Sequence, residues 1–149
     1  MEKLNFPNLN LRVKNKENKL FIFDIIRKKW FLLTPEEWVR QHCINFLVFT
    51  KNYPKSLINV EKKLLVNGNT KRYDIIVFSK NSQVLILVEC KSPKITINQD
   101  VFDQIAKYNL TFKSKYLMVS NGLSHYFCLV NYNVKNYSFL SDIPDFKNS

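Results

Sequence analysis

Glycine is scarce in this chain, and the scarcity excludes several kinds of function. Only two glycines occur among the 149 residues, which leaves no glycine-rich loop of the kind that cradles phosphates. The sequence also has no helicase motif, no apolar run long enough to span a bilayer and no N-terminal leader pattern. We therefore expect a cytoplasmic protein with no membrane partner and no motor of its own.

Cysteine and arginine are also sparse. Three cysteines, Cys43, Cys90 and Cys128, lie far apart and lack CxxC spacing, so the sequence predicts neither a disulfide framework nor a zinc site. We expect them to be buried, reduced thiols. Only four of the 23 basic residues are arginines, which argues against extensive reading of DNA sequence through bidentate contacts to guanine.

Positive charge is what the chain has in excess. Basic residues outnumber acidic ones 23 to 12, which gives a formal net charge of +11. This balance favours a polyanionic partner, because basic side chains release condensed counterions when they bind phosphates. A coding bias toward lysine and asparagine explains the same charge without binding. The hydrophobic content of 46% suits a folded core, and the length predicts one domain over residues 1–149.

Two apolar runs separated by a short polar segment form the most informative stretch. Residues 71–78 and 84–91 are rich in valine, isoleucine and aromatic side chains, which favour strands, and the asparagine and serine between them favour a turn. The pattern predicts a β-hairpin. A turn centred between Asn81 and Ser82 pairs residues whose numbers sum to 163.

The predicted register brings two carboxylates together. Asp74 and Glu89 become cross-strand neighbours, with Cβ atoms about 5 Å apart, and Lys91 shares their face of the sheet. Two carboxylates this close repel by about 3 kcal/mol at an effective dielectric constant near 20. The site therefore needs a divalent cation, the Lys91 ammonium group or a proton on one acid. A plain carboxylate–ammonium pair at the end of a hairpin explains the residues equally well.

A capping signal predicts a helix before this hairpin. Thr34 is placed to be its N-cap, a proline follows at the first helical position, and Glu37 completes a capping box. The helix is expected to run to about Lys51. Gln41 lies one turn after Glu37 on the same face.

A second helix is predicted after the hairpin. Residues 96–99 read Thr-Ile-Asn-Gln, a capping box with Thr96 as the N-cap, and the helix is expected to end near Leu110. Gln104 and Tyr108 are four residues apart and share one face. Their plain interpretation is an exposed glutamine and a tyrosine packed in the core.

The remaining segments predict strands around this centre. Residues 27–30 read Arg-Lys-Lys-Trp, which suits either contact with a nucleic-acid backbone or, more commonly, a solvated turn before a core tryptophan. The fold class is α/β (α+β), with a mixed central sheet flanked by helices in the order α-β-β-β-α-β. Its predicted parts are an N-terminal β extension (1–33, strands at 9–13 and 20–24), a core (34–121, further strands at 58–66 and 116–120) and a C-terminal hairpin and tail (122–149).

These residues carry a family resemblance. Asp74 followed by Glu89-Cys90-Lys91 resembles the D...ExK signature of the PD-(D/E)xK nuclease superfamily, and Gln104 with Tyr108 matches the QxxxY motif of its RecB-like members. Over about residues 34–121 the chain resembles the N-terminal nuclease domain of type I restriction enzyme R subunits, in a stand-alone bacterial version. The resemblance implies a restriction-endonuclease-like core and metal-dependent hydrolysis of DNA.

The resemblance also implies a metal site. Mg²⁺ or Mn²⁺ would be held by Asp74, Glu89 and the backbone carbonyl of Cys90, and Lys91 would orient the attacking water or neutralise developing negative charge. Tyr73 stands where family members usually have a proline, a change that leaves the neighbouring carboxylate in place.

Further roles follow from the same resemblance. In the family the helix before the hairpin contributes a glutamate or a glutamine to the metal site, which fits Glu37 or Gln41, and Gln104 and Tyr108 would position the substrate strand. The implied partners are DNA and a restriction-system or motor protein. The oligomeric state is left open, with a homodimer among the alternatives.

Two other interpretations remain at this stage. One is a nucleic-acid-binding accessory module that keeps the nuclease fold but is inactive alone or needs a partner, because so short a chain has no translocase or target-recognition segment. The other is a structural protein whose charge is compositional. Retention of Asp74, Glu89 and Lys91 together favours a working nuclease site.

Overall fold

The computed structural model describes residues 1–147, apart from the side chains of residues 64 and 66, and has a mixed α+β fold. The predicted C-terminal segment includes residues 148 and 149, which lie outside this description. No helix in the described part is both long and apolar enough to cross a membrane. The elements in chain order are β1 (Val13–Lys16), β2 (Lys19–Asp24), β3 (Lys29–Leu32), α1 (Pro35–Asn45), β4 (Ile58–Val66), β5 (Asn69–Phe78), β6 (Val84–Cys90), α2 (Gln99–Asn109), β7 (Tyr116–Ser120), β8 (His125–Asn131) and β9 (Asn136–Leu140).

The strands form two sheets. Strands β1 to β3 make a small antiparallel N-terminal sheet, and β4 to β9 make a six-stranded sheet in sequence order. In the large sheet β6 and β7 are parallel and the other neighbours are antiparallel. A parallel pair needs a crossover connection, which α2 supplies. From α1 to β7 the order is helix, three strands, helix, strand, as the sequence predicts, and β8 and β9 form the predicted C-terminal hairpin.

Alternate side chains of the central strands divide between two apolar cores. Ile75 and Val77 of β5 are packed in the core beneath α1. Ile76 of β5 and Leu87 of β6 belong to the opposite core, where Phe102 of α2 covers them. Successive residues of a strand point to opposite faces, so strands covered on both sides are apolar at nearly every position. This double coverage explains the continuous apolar runs from which the hairpin is predicted.

The β5–β6 hairpin has the register that the sequence predicts. The pairs near the centre of the two strands all sum to 163: Ile75 with Val88, Ile76 with Leu87 and Val77 with Ile86. Nearer the turn a bulge shifts the pairing by one residue. The turn is therefore less symmetric than predicted, but the pairing up to Ile75 and Val88, the residues next to the two carboxylates, keeps the predicted register.

The predicted N-terminal strands are only partly correct. β2 agrees with the prediction, but the first strand is β1 rather than residues 9–13, because two residues, Glu17 and Asn18, make the whole turn in the left-handed conformation. β3 was not predicted. Trp30 lies in this strand, directly after a turn in which Lys28 has a positive φ of 56°.

The start of α1 follows from its sequence. Thr34 is the N-cap, and its Oγ1 accepts a hydrogen bond of 3.0 Å from the backbone N–H of Glu37. Pro35 occupies the first helical position, where its missing N–H costs nothing. The α-helix ends at Asn45 and continues as a π-helical turn, Phe46–Thr50, which reaches the predicted end of the helix.

The predicted cap of α2 is wrong by two residues. Asn98 is the N-cap, and its Oδ1 accepts a hydrogen bond of 2.9 Å from the N–H of Val101. Thr96 is exposed and lies before the cap. Asparagine is at least as good an N-cap as threonine. Asn98 therefore takes the position, directly before the first helical residue.

Replacement of the two cap residues distinguishes these assignments. Thr34→Ala and Asn98→Ala are each expected to lower the free energy of unfolding by about 1 kcal/mol, because each leaves a helical N–H without its acceptor. Thr96→Ala is the matched control and is expected to change stability by less than about 0.5 kcal/mol. Urea denaturation measures all three, and a Thr96→Ala loss equal to that of Asn98→Ala would contradict the assignment.

Candidate active site

A cleft of about 460 Å³ lies beside the ends of β5 and β6, between the first turn of α1 and one side of α2. Five residues of the two sequence motifs line the cleft: Asp74, Glu89, Lys91, Gln104 and Tyr108. Residues that the sequence analysis did not assign to the site also line it, among them Glu36, Arg40, Glu61 and Arg72. The cleft therefore combines carboxylates with several cations.

Asp74 is held at the point where the β5–β6 ladder opens. Its Oδ2 accepts a hydrogen bond of 2.8 Å from the backbone N–H of Cys90, so the carboxylate takes the place of a strand carbonyl. Its Oδ1 accepts from Nη2 of Arg40 at 3.0 Å. Two directional bonds fix the carboxylate group at the edge of the cleft.

Glu89 and Lys91 extend from the end of β6 into the same cleft. The Lys91 Nζ and Glu89 Oε1 atoms are 3.7 Å apart. Burial and then the negative charge of Asp74 raise the pKa of Glu89 to about 8, and the Lys91 ammonium group offsets this only in part. The two acids therefore repel as predicted from the register, and Lys91 does not neutralise them fully.

The acid that α1 directs into the cleft is Glu36. Burial and then the charge of Asp74 raise the pKa of Glu36, while Arg40 acts in the opposite sense. The two predicted helix residues, Glu37 and Gln41, are buried and do not line the cleft in the part of the chain that is described. Consecutive helical positions point about 100° apart, so adjacent glutamates face different surroundings.

Glu37 and Gln41 belong instead to a buried polar network. Glu37 Oε1 accepts from Arg27 at 3.0 Å, and Gln41 Nε2 donates to Asp24 at 2.8 Å. The carboxylate of Glu37 is therefore bound to side chains rather than returning to the N-cap as a capping box would require. Burial acts to raise the pKa of Asp24, but its hydrogen bonds to Arg27 and Gln41 outweigh this and lower it.

Arg40 links this network to the cleft. It is 7% exposed, and its guanidinium group lies 3.0 Å from Glu37 and 3.0 Å from Asp74. Weaker contacts reach Glu36 at 3.3 Å and Glu61 at 3.5 Å. Burial disfavours its charge, but the carboxylates of Glu37 and Asp74 prevail and raise the pKa of Arg40. The Arg40 guanidinium group thus forms ion pairs with four carboxylates.

Glu61 was also missed by the sequence analysis. The β4–β5 register, in which Val60 faces Ile75 and Lys62 faces Tyr73, puts Glu61 opposite Asp74. Glu61 has a positive φ of 45°, which is strained for a side chain with a Cβ. No local sequence pattern predicts such a position. Only the structure shows that the acidic side chain of Glu61 lines the cleft.

Gln104 and Tyr108 lie on the cleft side of α2, as their spacing predicts. Gln104 is exposed, and Tyr108 donates a hydrogen bond of 2.9 Å from its hydroxyl to the carbonyl of Arg72. Tyr108 is 36% exposed, so it is not a plain core residue. Its ring also forms an edge contact with Phe112 that orients it.

The sequence itself was compared with known families and proteins. The family described as Type I restriction enzyme R protein N terminus (HSDR_N) has a sequence model that matches residues 35–144. The chain belongs to this family. Membership relates it to the restriction enzymes and to a nuclease-related role in a restriction system. A search of curated proteins found no match.

The HSDR_N match covers the elements that build the cleft. It begins at the first residue of α1 and ends beyond β9 at Pro144, so it extends past the C-terminal limit of the resemblance at residue 121. The N-terminal sheet lies outside the match. Arg27 and Asp24, which form hydrogen bonds with Glu37 and Gln41 of α1, therefore lie outside the matched part of this HSDR_N chain.

The chemistry of the cleft suits a hard divalent cation. Asp74 and Glu89 offer carboxylate oxygens, and burial together with the charge of Asp74 raises the pKa of Glu89, effects that a bound cation would oppose. Among the described residues no group of three or more His, Cys, Asp or Glu side chains is arranged to bind a metal. An ion there would depend on two carboxylates, a backbone carbonyl and water, which is a common arrangement for Mg²⁺.

Proposed function

We propose that this HSDR_N chain is a metal-dependent nuclease that hydrolyses phosphodiester bonds in DNA on a restriction-endonuclease-like core. The observation that carries the proposal is the meeting of Asp74, Glu89 and Lys91 with Gln104 and Tyr108 in one cleft. These residues come from one hairpin and from the helix that follows it. Membership of a restriction-enzyme family supports the same conclusion.

The metal would be held by Asp74, Glu89 and the Cys90 carbonyl. When bound, Mg²⁺ or Mn²⁺ supplies a Lewis acid that activates water and offsets charge on the phosphate. Arg40 and the Cys90 N–H fix the Asp74 carboxylate in one orientation, which lowers the cost of forming the site. Glu36 takes the helix role that the family resemblance implies, because it lines the cleft and Glu37 does not.

The other cleft residues act on the substrate. Lys91 carries a positive charge 3.7 Å from Glu89 and is placed to stabilise negative charge that develops on the phosphate. Gln104 offers amide groups and Tyr108 an aromatic ring and a hydroxyl for positioning the strand. Arg72 is exposed at the same cleft and adds a second cation for the backbone.

Asp74→Asn tests the proposal directly. We expect wild-type protein to cleave supercoiled plasmid or labelled single strands in Mg²⁺ or Mn²⁺ and not in EDTA. Asp74→Asn is expected to lower the rate by more than about 100-fold, since changes to groups behind a metal ligand already cost 10- to 100-fold. The substitution keeps the size of the side chain and one oxygen for the Cys90 N–H.

Asp100→Asn is the matched control because this aspartate is exposed in the first turn of α2. It is expected to cleave at the wild-type rate. Metal-dependent cleavage that survives Asp74→Asn would refute the assignment of the site. Thermal unfolding of both variants separates loss of the site from loss of the fold.

One observation favours a second candidate, a nucleic-acid-binding accessory module that is inactive alone. Both oxygens of Asp74 already have partners within the protein, Arg40 and the Cys90 N–H. An acid satisfied in this way is less available to an ion. Salt-dependent DNA binding without cleavage in any divalent metal would favour this candidate, and addition of the restriction-system or motor protein would then be needed for activity.

A further inference from the structure

A second groove, of about 640 Å³, separates the N-terminal sheet from the β4 edge of the large sheet. One wall is formed by residues 25–31, the turn after β2 and the start of β3. The other is formed by residues 55, 56, 58–60 and 62, which belong to a 3₁₀ turn and the first half of β4. Exposed lysines stand on both walls: Lys28 and Lys29 on the first, Lys55 and Lys62 on the second.

The groove carries uncompensated positive charge. No acidic side chain is among the described residues that line it. Its floor is apolar, and Ser56 and Asn59 add neutral hydrogen-bonding groups. Four ammonium groups around one concave surface repel one another and favour a polyanionic ligand. A solvated turn, the commoner interpretation of residues 27–30, does not explain a second pair of lysines on a distant segment.

Arg27 ties this groove to the candidate active site. Its side chain lines the groove, where its guanidinium carbon lies 3.5 Å from the centre of the Phe31 ring. Its Nη1 also forms a 3.0 Å ion pair with Glu61, which lines the cleft. The next residue, Lys62, faces the groove. The Arg27–Glu61 ion pair therefore joins a residue of the groove to a residue of the cleft.

We propose that this basic groove binds the phosphate backbone of the same nucleic-acid strand whose scissile bond enters the cleft. The inference rests on the proposed function for the claim that the bound strand also enters the cleft. Binding of the phosphate backbone by the groove does not depend on it. A nucleic acid fits better than an acidic peptide because the groove continues toward a site built for phosphodiester chemistry. The N-terminal sheet, which lies outside the family match, would thus supply half of the substrate path.

The test is binding of a fluorescein-labelled oligonucleotide, single-stranded or duplex, measured in EDTA over a series of salt concentrations. The variant K28Q/K29Q/K55Q/K62Q is expected to bind at least about tenfold more weakly than wild type at low salt. The steepness of log K against log salt is expected to fall by up to about 2.8 for a single strand and about 3.6 for a duplex, since each of four contacted phosphates contributes about 0.7 or about 0.9. The oligonucleotide, single-stranded or duplex, whose affinity falls more in the variant is the form that the groove binds.

The matched control, K107Q/K113Q/K135Q/K147Q, removes the same charge from exposed lysines that do not line the groove. Its salt dependence is expected to stay closer to that of wild type than the salt dependence of the groove variant does. Each half variant, K28Q/K29Q or K55Q/K62Q, is expected to lose about half of the slope change, which guards against misfolding of the fourfold variant. Equal losses in groove and control variants, or no loss from K28Q/K29Q, would overturn the inference.

Two further outcomes separate this inference from the proposed function. If the groove variants bind weakly while Asp74→Asn binds like wild type, the groove is supported even when no cleavage is found in any metal. If wild type cleaves and the groove variants bind and cleave normally, the nuclease proposal stands and the groove is excluded. Displacement of the strand by polyglutamate at equal charge concentration would overturn the assignment to nucleic acid.

Discussion

Lys91→Ala is expected to lower the rate of Mg²⁺-dependent plasmid cleavage by at least about 100-fold, the usual loss when one preorganised charge-stabilising group is removed. The substitution has two effects on the cleft. It removes the cation that we propose to stabilise charge on the phosphate, and it also removes a charge that acts to lower the pKa of Glu89. Cleavage of supercoiled plasmid under single-turnover conditions measures the loss.

Stability separates this catalytic role from a structural one. The Lys91 side chain is 35% exposed and its ion pair with Glu89 is 3.7 Å long, so its removal is expected to change the free energy of unfolding by less than about 1 kcal/mol. Lys94→Ala, at an exposed position three residues later, is the control for loss of a lysine near the cleft. If Lys91→Ala cleaved within about threefold of Lys94→Ala, Lys91 would have no part in the reaction.

The meeting of Asp74 and Glu89 in one cleft could be predicted because hydrophobic pattern determines the register of the strands that carry them. A slip of one residue would turn Ile75 and Val77 away from the core beneath α1 and expose them. The bulge near the turn does not propagate, since the buried pairs hold the rest of the ladder. Local pattern is sufficient here because the partners are separated only by a short turn.

The cations around the acids could not be predicted in this way. Arg27 meets Glu61 and Arg40 meets Asp74 across 34 residues of sequence. No spacing rule connects such partners, whose meeting depends on how α1 and the N-terminal sheet pack. The capping pattern correctly placed the start of α1, yet it drew attention to Glu37 when Glu36 is the glutamate in the cleft. Which glutamate faces β5 depends on the rotation of the helix in the assembled fold.

Arg40→Met is expected to lower the free energy of unfolding by about 3 to 5 kcal/mol, because it removes the cation that the buried carboxylate of Glu37 shares with the partly buried Asp74. Glu37 would keep only Arg27 and Gln41 as its side-chain partners, and Asp74 would lose the bond that orients Oδ1. Methionine retains most of the volume, so a cavity contributes little to the loss. Arg12→Met is the matched control: Arg12 is exposed and stacks on Phe23, an interaction of about 0.5 to 1 kcal/mol.

A second substitution identifies the cause of the loss. In the Arg40→Met background, Glu37→Gln removes a buried charge that has lost one of its two cations, and it is expected to recover about 1 kcal/mol or more of the lost stability. In the wild-type background the same Glu37→Gln change is expected to destabilise, since Arg27 and Arg40 each lose one carboxylate partner. Urea denaturation of the four proteins in this cycle gives the coupling energy. A coupling near zero would mean that solvent already screens the network, and Arg40 would then be a packing residue that touches Asp74 without holding it.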